Sequence, residues 1–544
     1  MNLDELFPFK SGFRPRQREI IEQIIEGLEN HNYIFLEAPT GLGKSAVAYT
    51  VANWARVNEC LSHIIVNDKY LQDQYIKDFP TLAIMKGRSN YYCPNSKNEK
   101  ADQAYCVSNR DYECDMKPQI SREKDQYGVA CNWDGVAGDR CPYWVAKDEA
   151  IHTPITIQNY DYYLNEQVYA QSFSPRYFAV FDEAHTIESA IMKFVEKEVT
   201  QGKLDYFWSV HNRGEAPRLP PITNKAYDEA ERWLEWLQHI LDELSTFKYE
   251  DLHGLPDQRQ TDITYELDGY KDKLSQLIEY LATEPENWSV VRTIERLAQK
   301  ATFKPVMIND YAYLLFEHTS KALLMSATIL SPDNLKRWLG IDEEIVTIRI
   351  GESNFPAQNR PIIKHYVGRA HQGNMEMYLP LVVKELDEVI IPSRLRFKGV
   401  VHTHTNKTAY YILKNSKYKD YMMSNVGFED RATRFQEFFD APAPKIMVTP
   451  SMKVGVDLKD DRARWQVLVK TPYPYLGDPQ IRKRLRRDQE WYNWQTLITL
   501  IQTCGRVCRS EKDWGETFLF DEKFDDLLNK NVDLLPGWFS EAIQ

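Results

Sequence analysis

A glycine-rich turn between an apolar run and a helical run constrains this fold more than any other feature of the sequence. The run Tyr33 to Leu36 predicts a buried strand, the segment Ala38 to Ser45 reads Ala-Pro-Thr-Gly-Leu-Gly-Lys-Ser, and a helical pattern follows. In this context such a turn is typical of a phosphate-binding loop, where backbone N–H groups and a helix N-terminus hold anionic oxygens. The feature predicts a parallel α/β sheet that binds a nucleoside triphosphate.

The residues of this loop have separate predicted roles. The glycines let the backbone wrap the phosphates, Lys44 reaches the β- and γ-phosphates, and Ser45 supplies a hydroxyl to Mg²⁺. Ala38 stands where the pattern usually begins with glycine, and its small side chain still permits the turn. The alternative is a structural turn that carries a Lys-Ser pair by chance. The predicted nucleotide contacts here are Thr40, Gly41, Gly43, Lys44 and Ser45.

Two adjacent acids end a later candidate strand. The run Phe178 to Phe181 leads into Asp182-Glu183-Ala184-His185, and side chains at the C-terminal edge of a parallel sheet face a bound ligand. Asp182 is predicted to hold Mg²⁺, and Glu183 to orient and deprotonate the attacking water. Taken alone, the acids also suit an ordinary helix N-terminus. Together with Lys44 they predict ATP hydrolysis.

A basic motif near the C-terminus supplies the third part of the predicted site. In Gln502-Thr503-Cys504-Gly505-Arg506-Val507-Cys508-Arg509, helical spacing would place Gln502, Arg506 and Arg509 on one face. Two such arginines neutralise phosphate charge in the transition state, although a solvated basic helix face has the same pattern. Arginines donated by a second domain predict a cleft that ATP opens and closes.

The order of strand-like and helical runs predicts several units within the 544 residues. Helical spacing of Trp233, Leu237 and Ile240 contrasts with the β-rich runs on either side. We divide the chain into a first motor domain in three parts (1–90, 146–200 and 303–343), a cysteine-bearing insertion (91–145), a helical insertion (201–302) and a second motor domain (344–544).

Charge and hydropathy limit the classes of function. The net charge of −12 argues against a protein that coats nucleic acid by bulk attraction, although it permits a local basic groove. No apolar run is long enough to span a membrane, and the segment Met1 to Lys10 lacks a signal pattern. We therefore expect a soluble cytoplasmic protein without a membrane role.

Five of the eight cysteines fall within one short segment that has lost the α/β pattern. In a cytosolic protein such clustering more often indicates a metal site than disulfides. Their wide spacing differs from the paired Cys-x-x-Cys of zinc ribbons, and the segment has few apolar residues with which to fold unaided. The candidate ligands are Cys93, Cys106, Cys114, Cys131 and Cys141.

Together these motifs resemble superfamily 2 helicases, and specifically the XPD/DinG group of iron-sulfur DNA helicases. Phe13-Arg14-Pro15-Arg16-Gln17 is similar to the adenine-reading segment of that group, with Arg14 and Gln17 as nucleotide contacts. Ser326-Ala327-Thr328 resembles the motif that couples hydrolysis to domain movement, and Ser451 with Gly455-Val456-Asp457 resembles a motif of the second motor domain that lies near the DNA strand and the nucleotide.

The resemblance implies two RecA-like parallel-sheet motor domains with an inserted iron-sulfur domain and an inserted helical arch domain. It implies ATP and Mg²⁺ at the cleft and a [4Fe-4S] cluster held by four of the five clustered cysteines. Cys93 and Cys141 match the surroundings of the first and last ligands. The other two are drawn from Cys106, Cys114 and Cys131.

The resemblance also implies a function, with alternatives. We expect an ATP-dependent helicase, acting as a monomer, that moves 5′ to 3′ along single-stranded DNA and opens forked duplex. The alternative is a nucleic-acid-stimulated ATPase that serves as an accessory or recruitment module. In a helicase-nuclease, the nuclease would be a separate protein, because the chain begins close to Arg14. The basic run at 482–487 and the aromatic residues Trp491, Tyr492 and Trp494 are candidate strand contacts, or a solvated helix face.

Overall fold

The computed structural model describes residues 2–96, 99–108, 112, 114–116, 141–221, 230–295, 298–427, 431–451 and 458–544. Within these ranges the strands are β1 (Tyr33–Glu37), β2 (Ser62–Val66), β3 (Ala83–Met85), β4 (Ile155–Asn159), β5 (Phe178–Asp182), β6 (Lys197–Thr200), β7 (Trp288–Glu295), β8 (Ala298–Pro305), β9 (Lys321–Ser326), β10 (Ile345–Arg349), β11 (Ile362–Gly368), β12 (Gly399–His402), β13 (Met422–Ser424), β14 (Ile446–Thr449), β15 (Trp465–Leu468) and β16 (Glu516–Asp521).

Helices cover both faces of the parallel sheets and form most of the inserted segment after β6. They are α1 (Leu3–Leu6), α2 (Gln17–Asn30), α3 (Lys44–Val57), α4 (Lys69–Asp78), α5 (Tyr105–Ser108), α6 (Pro142–His152), α7 (Tyr160–Asn165), α8 (Ile187–Val195), α9 (Gln201–Val210), α10 (Ala230–Ser245), α11 (Asp257–Thr283), α12 (Tyr313–Phe316), α13 (Pro332–Trp338), α14 (Met375–Glu385), α15 (Asn406–Asn415), α16 (Arg431–Asp440), α17 (Pro479–Arg487), α18 (Gln489–Cys504), α19 (Lys523–Lys530) and α20 (Gly537–Ser540).

The first motor domain is built on a parallel sheet in the order β10-β1-β9-β5-β2-β4-β3. Its central strands are buried on both faces, which explains their nearly continuous apolar sequences. Because all strands run the same way, the ends of β1 and β5 meet at one edge. The sequence-based division assigned residues from 344 onward to the second motor domain, whereas β10 pairs with β1 in this first sheet.

The second motor domain contains another parallel sheet, in the order β11-β16-β15-β12-β14-β13. Its strands β12, β14 and β15 are likewise buried along their full lengths. The predicted α/β class with two parallel-sheet motor domains is confirmed. Helix α18, which contains the basic motif's Gln502, leads from this domain toward the edge of the first sheet.

The segment between β5 and β9 forms a separate layer. Helices α10 and α11 pack together through buried residues that include Trp233, Leu237, Leu274 and Leu277. The sequence analysis described this segment as helical, but β7 and β8 pair with β6 in an antiparallel sheet. The run Trp-Ser-Val-Val-Arg-Thr-Ile-Glu at 288–295 is rich in β-branched residues, which favour a strand.

In the described part of the cysteine-bearing segment between β3 and β4, little regular structure precedes α6. Its described part buries only a small cluster, which includes Ala101, Cys141 and Tyr143. Cys131 lies outside the described residues. Across the part of the chain that the structure describes, no helix is long and apolar enough to cross a membrane.

Candidate active site

The loop between β1 and α3 has the backbone of a phosphate-binding turn. Gly41 and Gly43 have φ angles of 91° and 83°, a region that side-chain-bearing residues rarely adopt. Gly43 caps α3 without a side-chain hydrogen bond, so the first N–H groups of the helix face the loop. The Lys44 Nζ donates to the Ala38 carbonyl at 3.0 Å. The loop is therefore closed on itself by the lysine that is predicted to contact phosphate.

Two predicted nucleotide contacts, Gln17 at the start of α2 and Arg14 just before it, hold this loop in place. Gln17 is buried, and its Oε1 accepts from the Arg14 N–H at 3.0 Å. Its Nε2 donates to the carbonyls of Leu42 at 3.1 Å and Gly43 at 3.2 Å. The Arg14 guanidinium donates to the Gly41 carbonyl at 2.6 Å. Both side chains thus fix the shape of the phosphate loop, and their contact with a base stays a prediction.

Phe355 is a loop contact that the sequence analysis missed. It lies in the connector between the motor domains, and a methyl group added at Gly41 would come within 2.2 Å of the Phe355 ring. The same connector is tied to α2 by an ion pair of 2.5 Å between Arg16 and Glu352. The sequence offered one signal for this contact, an aromatic residue shortly after β10, the last strand of the first sheet in chain order.

The two predicted catalytic acids lie at the end of β5, beside the loop. The Tyr75 hydroxyl donates to the Asp182 Oδ2 at 2.8 Å, and the Tyr160 hydroxyl donates to the Asp182 carbonyl at 3.0 Å. Burial and the neighbouring Glu183 raise the pKa of Asp182 to about 7, while Lys44 opposes this rise. Glu183 has a φ of 54°, which turns the chain sharply into α8. The site therefore concentrates negative charge where a cation is predicted.

Lys44 connects the loop, the acids and the second motor domain electrostatically. Burial lowers its pKa, Glu183 and Asp182 raise it, and Arg509 lowers it further. Three of these groups belong to the first motor domain, and Arg509 belongs to the second. The structure therefore brings a predicted γ-phosphate reader within electrostatic range of the phosphate loop.

A chain of polar contacts runs from Glu183 to the second motor domain. The His185 Nδ1 lies 3.3 Å from the Glu183 carboxylate and 2.8 Å from the Ser326 hydroxyl. The Ser326 hydroxyl accepts the Thr328 N–H at 3.0 Å, and the Gln502 Nε2 donates to the Thr328 hydroxyl at 2.7 Å. The catalytic acid, the Ser-Ala-Thr motif and the basic motif thus form one contact path.

The two motor domains enclose a cleft of about 520 Å³ at this path. Gln502, Arg506 and Arg509 all line it, but the prediction that they share a helix face is wrong. Helix α18 ends at Cys504 with Gly505 as its cap, so both arginines follow the helix. The Asp513 carboxylate accepts the Arg509 N–H at 2.9 Å, which holds this irregular segment in place.

Glu37 is a second site residue that the sequence analysis missed. It ends β1 and is buried, with Oε1 accepting the N–H groups of Ile329 at 2.8 Å and Leu330 at 2.7 Å. The Arg349 Nε donates to its other oxygen at 2.7 Å. Glu37 thereby ties the phosphate loop to the turn after Ser-Ala-Thr. A carboxylate at the end of an apolar strand was the sequence signal.

The basic run at 482–487 is only partly the open strand-contact surface that was predicted as one possibility, because Arg486 and Arg487 are exposed and the rest of the run is buried or half-buried. Arg484 is fully buried, and the Lys483 Nζ donates to the Trp288 carbonyl at 2.9 Å. Trp491 and Trp494 are also buried, so they do not offer exposed stacking faces. The run packs against the base of the inserted antiparallel layer because α17 crosses β7.

The cysteine segment brings four of the five candidate ligands into one neighbourhood. Burial raises the pKa of the Cys106 thiol, as do Cys114, Cys93 and Cys141, while Arg88 lowers it. Four thiols suit the chemistry of an iron-sulfur cluster. Among the described residues, however, no three His, Cys, Asp or Glu side chains lie close enough together to hold a metal ion. Cys131, Gly455 and Asp457 fall outside the described ranges.

Sequence comparison with known proteins finds matches to both motor domains. Residues 400–542 match the helicase C-terminal domain family, and residues 10–207 match the family of the type III restriction enzyme res subunit. A probable ATP-dependent helicase of Methanocaldococcus jannaschii is 23% identical, over 97% of this chain and 94% of the relative. The ATP-dependent DNA helicase XPD of Sulfolobus acidocaldarius is 20% identical, over 96% of this chain and 98% of the relative.

The fold is also similar to that of solved XPD structures. A structure titled XPD helicase aligns with a TM-score of 0.64 and 15% identity, covering 98% of this chain and 99% of that chain. A second, titled as XPD in its apo form, aligns with a TM-score of 0.56 over 94% of this chain and 98% of that chain. With both motor sheets and the cleft between them in place, these matches make the chain an ATP-dependent helicase that is similar to the XPD/DinG type of superfamily 2.

Proposed function

We propose that this chain moves 5′ to 3′ along single-stranded DNA, driven by ATP hydrolysis, and separates the strands of forked duplex. The contact path from Glu183 through His185, Ser326 and Thr328 to Gln502 carries the proposal. It connects the residue that handles the attacking water to a helix of the other motor domain. A path of this kind lets the state of the nucleotide determine how the two domains are arranged.

The chemistry follows from the side chains of the cleft. Lys44 would release the Ala38 carbonyl and contact the β- and γ-phosphates, while Ser45 and Asp182 would hold Mg²⁺. The bound Mg²⁺ would neutralise charge on the phosphates. The water oxygen bonds to the γ-phosphorus, the bond to the β,γ-bridging oxygen breaks, and Glu183 accepts a proton from the water.

The arginines of the second domain would complete this site. Arg506 and Arg509 line the same cleft as Glu183, where positive charge stabilises the transferring phosphoryl group. Because these arginines stand on the second domain, they contact the γ-phosphate best when the cleft is closed. Hydrolysis removes that attraction, so each turnover would open the cleft and shift the domains along a bound strand.

A strand-separation assay tests the proposal. Labelled duplexes with a 5′ tail, a 3′ tail or a fork are incubated with the chain and ATP, and the same set is prepared in RNA. We expect release of the labelled strand from the 5′-tailed and forked DNA only, and no release without ATP. Equal release from 3′-tailed DNA would contradict the polarity. Failure to separate any duplex, despite ATP turnover, would favour the accessory-module alternative.

The cysteine segment is proposed to hold a [4Fe-4S] cluster through Cys93, Cys106, Cys114 and Cys141. Burial and the Cys114, Cys93 and Cys141 thiols all raise the pKa of the Cys106 thiol, and the described part of the segment buries only a small apolar cluster with which to stabilise itself. Against this rise, Arg88 lowers the pKa of the Cys106 thiol and would stabilise its thiolate form. When bound, such a cluster supplies a rigid covalent cross-link for a segment whose described part has only a small core.

Iron and sulfide analysis of anaerobically purified protein tests this assignment. We expect a brown protein with four irons and four acid-labile sulfides per chain, as the cluster formula requires. Cys106→Ser is expected to lose the iron, while Cys60→Ser, which alters a thiol outside the segment, keeps it. Loss of iron in Cys131→Ser but not in Cys106→Ser would reverse the choice of ligands. A colourless preparation containing zinc would contradict the cluster itself.

A further inference from the structure

Glu188 is a buried acid that the proposed hydrolysis does not use. It lies on α8, one turn after the catalytic acids, and is 2% exposed. Its Oε2 accepts the Trp491 indole N–H at 2.6 Å and the Gln495 amide at 3.3 Å. Both partners belong to α18 of the second motor domain. A buried carboxylate beside the catalytic turn therefore contacts the other half of the motor.

Arg484 on α17 contacts both Glu188 and the base of the inserted layer. Its Nη2 lies 3.2 Å from the Glu188 Oε1, and its Nη1 donates to the Val306 carbonyl at 3.2 Å. Val306 directly follows β8, where the inserted layer returns to the first motor domain. The Arg484 guanidinium thus joins α17 of the second motor domain to α8 of the first and to the base of the inserted layer.

A second buried carboxylate, that of Asp488, also lies near the Arg484 guanidinium. The Asp488 Oδ2, one helical turn further along the second domain, lies 3.9 Å from the same Nη2. Asp488 is fixed by the Trp491 N–H at 3.0 Å and by the Trp338 indole at 2.6 Å. Glu188 and Asp488 are both nearly inaccessible to solvent. The arginine therefore stands between one acid of each motor domain, at distances that differ by less than an ångström.

The contact with Glu188 is close but not aligned. Among the described residues, the Arg484 Nη2 and Nε and the Glu188 Oε1 make no hydrogen bond, although all are buried. Buried charged atoms usually find aligned partners, because an unsatisfied one costs free energy. A small relative displacement of α8 and α17 would align the pair or transfer the guanidinium to Asp488. The observed position is intermediate between these two arrangements.

We propose that Arg484 is a positioning residue that moves between Glu188 and Asp488 as the cleft closes and opens, and so couples strand binding to ATP turnover. The inference rests on the proposed helicase function and adds a named transmission element to it. Pairing with Glu188 would draw α8 toward the second domain and set the catalytic turn that precedes it. Pairing with Asp488 would release α8, while the Val306 contact carries the change to the inserted layer.

A conservative variant separates this role from a purely structural one. Lysine at 484 keeps a positive charge for one carboxylate, but it lacks the second nitrogen that bonds the Val306 carbonyl at the same time. In Arg484→Lys we expect a melting temperature close to that of the unaltered chain and an unchanged ATP KM. The ratio of DNA-stimulated to basal kcat should fall about tenfold.

The second variant replaces the charged pair of Glu188 and Arg484 with two uncharged side chains. Glu188→Gln with Arg484→Met removes both buried charges together and leaves an acceptor for the Trp491 indole. If the pair only stabilised the fold, this double variant would recover both melting temperature and DNA stimulation. We expect it to recover the melting temperature while stimulation stays about tenfold low, because an uncharged pair cannot exchange partners.

The matched control is Lys193, which lies on α8 with Glu188. It contacts Asp161 at 2.8 Å, and both side chains are more than half exposed. Lys193→Met is expected to keep full DNA stimulation, since exposed ion pairs contribute little. Unchanged stimulation in both Arg484→Lys and the neutral pair would overturn the proposal. If the unaltered chain itself showed no stimulation by DNA, the failure would lie with the proposed function instead.

Discussion

Each motor domain has a strand-turn-helix unit on an interior strand of its sheet, β1 in the first and β12 in the second, but the turns differ. In the first domain, β1 reaches α3 through a six-residue turn with two glycines at positive φ, and Gly43 leaves the helix end without a side-chain cap. In the second, β12 reaches α15 through only three residues. There the Thr405 hydroxyl accepts the Thr408 N–H at 3.2 Å and closes the helix end.

The difference shows what turns a common fold unit into a nucleotide site. Both helices direct their positive ends toward the C-terminal edge of a parallel sheet. In the first domain no side chain caps the start of α3, and a lysine and two acids lie beside it, whereas in the second a threonine side chain satisfies an N–H group of α15. The second domain contributes Gln502, Arg506 and Arg509 from another edge of its fold. One domain would bind and cleave the nucleotide, and the other would respond to it.

The largest expected effect comes from the lysine of the first turn. Lys44→Ala should lower ATP turnover by at least about 10⁴-fold, because it removes the cation that contacts the β- and γ-phosphates. DNA binding, measured by fluorescence anisotropy, should be largely retained. Lys407→Ala is the matched control, since Lys407 is exposed at the corresponding turn of the second domain and should leave turnover unchanged. Unaltered ATP turnover in Lys44→Ala would contradict the assignment of this loop as the ATP-binding site.

The next effect tests the contribution of the second domain. Arg506→Ala should lower kcat about 10³-fold with a much smaller change in ATP affinity, because the guanidinium acts on charge that develops in the transition state. Steady-state kinetics and equilibrium nucleotide binding separate the two quantities. Arg396→Ala, which alters an exposed arginine of the same domain, serves as the control. A loss of affinity that accounts for the whole effect would make Arg506 a ground-state binding residue.

A smaller effect is expected from the backbone of the first turn. Gly41→Ala forces an alanine to a φ of 91° and places its methyl group against the Phe355 ring. We expect ATP binding to weaken about 30-fold, which corresponds to backbone strain of about 2 kcal/mol. Gly41→Ala combined with Phe355→Ala relieves the steric clash and should recover only part of the affinity. Full recovery would show that the positive φ is unimportant.

The smallest effect concerns the closed helix end of the second domain. Thr405→Ala removes the side-chain cap of α15 and should lower the free energy of unfolding by about 1 kcal/mol. Denaturant unfolding measures this change, and ATP turnover should stay at the level of the unaltered chain. A loss of turnover larger than the loss of folded protein would mean that the second turn also takes part in nucleotide binding.

Much of the fold could be predicted because buried parallel strands have nearly continuous apolar sequences. The predicted runs at 33–36 and 178–181 correspond to β1 and β5. The edge strand β10 was assigned to the wrong sheet because its partner is β1, more than three hundred residues earlier. Strands β7 and β8 were missed because they lie within a strongly helical pattern and are stabilised by pairing with β6.

Residues of the candidate site could be predicted from the sequence where they lie together in one short motif. The loop at 38–45 and the acids at 182–183 are such motifs, and the structure brings them together. The contacts of Glu37 and Phe355 depend on which distant segments the fold places beside them. The basic run at 482–487 shows the opposite error at one position, because its charge pattern indicated an exposed surface and Arg484 is buried against Glu188, although Arg486 and Arg487 are exposed.

The rate of ATP hydrolysis with and without single-stranded DNA tests the central claim most directly. A cleft joined through Gln502 and Thr328 to the catalytic acid should respond to a strand bound across both domains. We expect single-stranded DNA to raise kcat at least about tenfold, and expect Gln502→Ala to lose most of that rise. A chain that hydrolyses ATP at the same rate in the presence and absence of DNA would contradict the proposed motor.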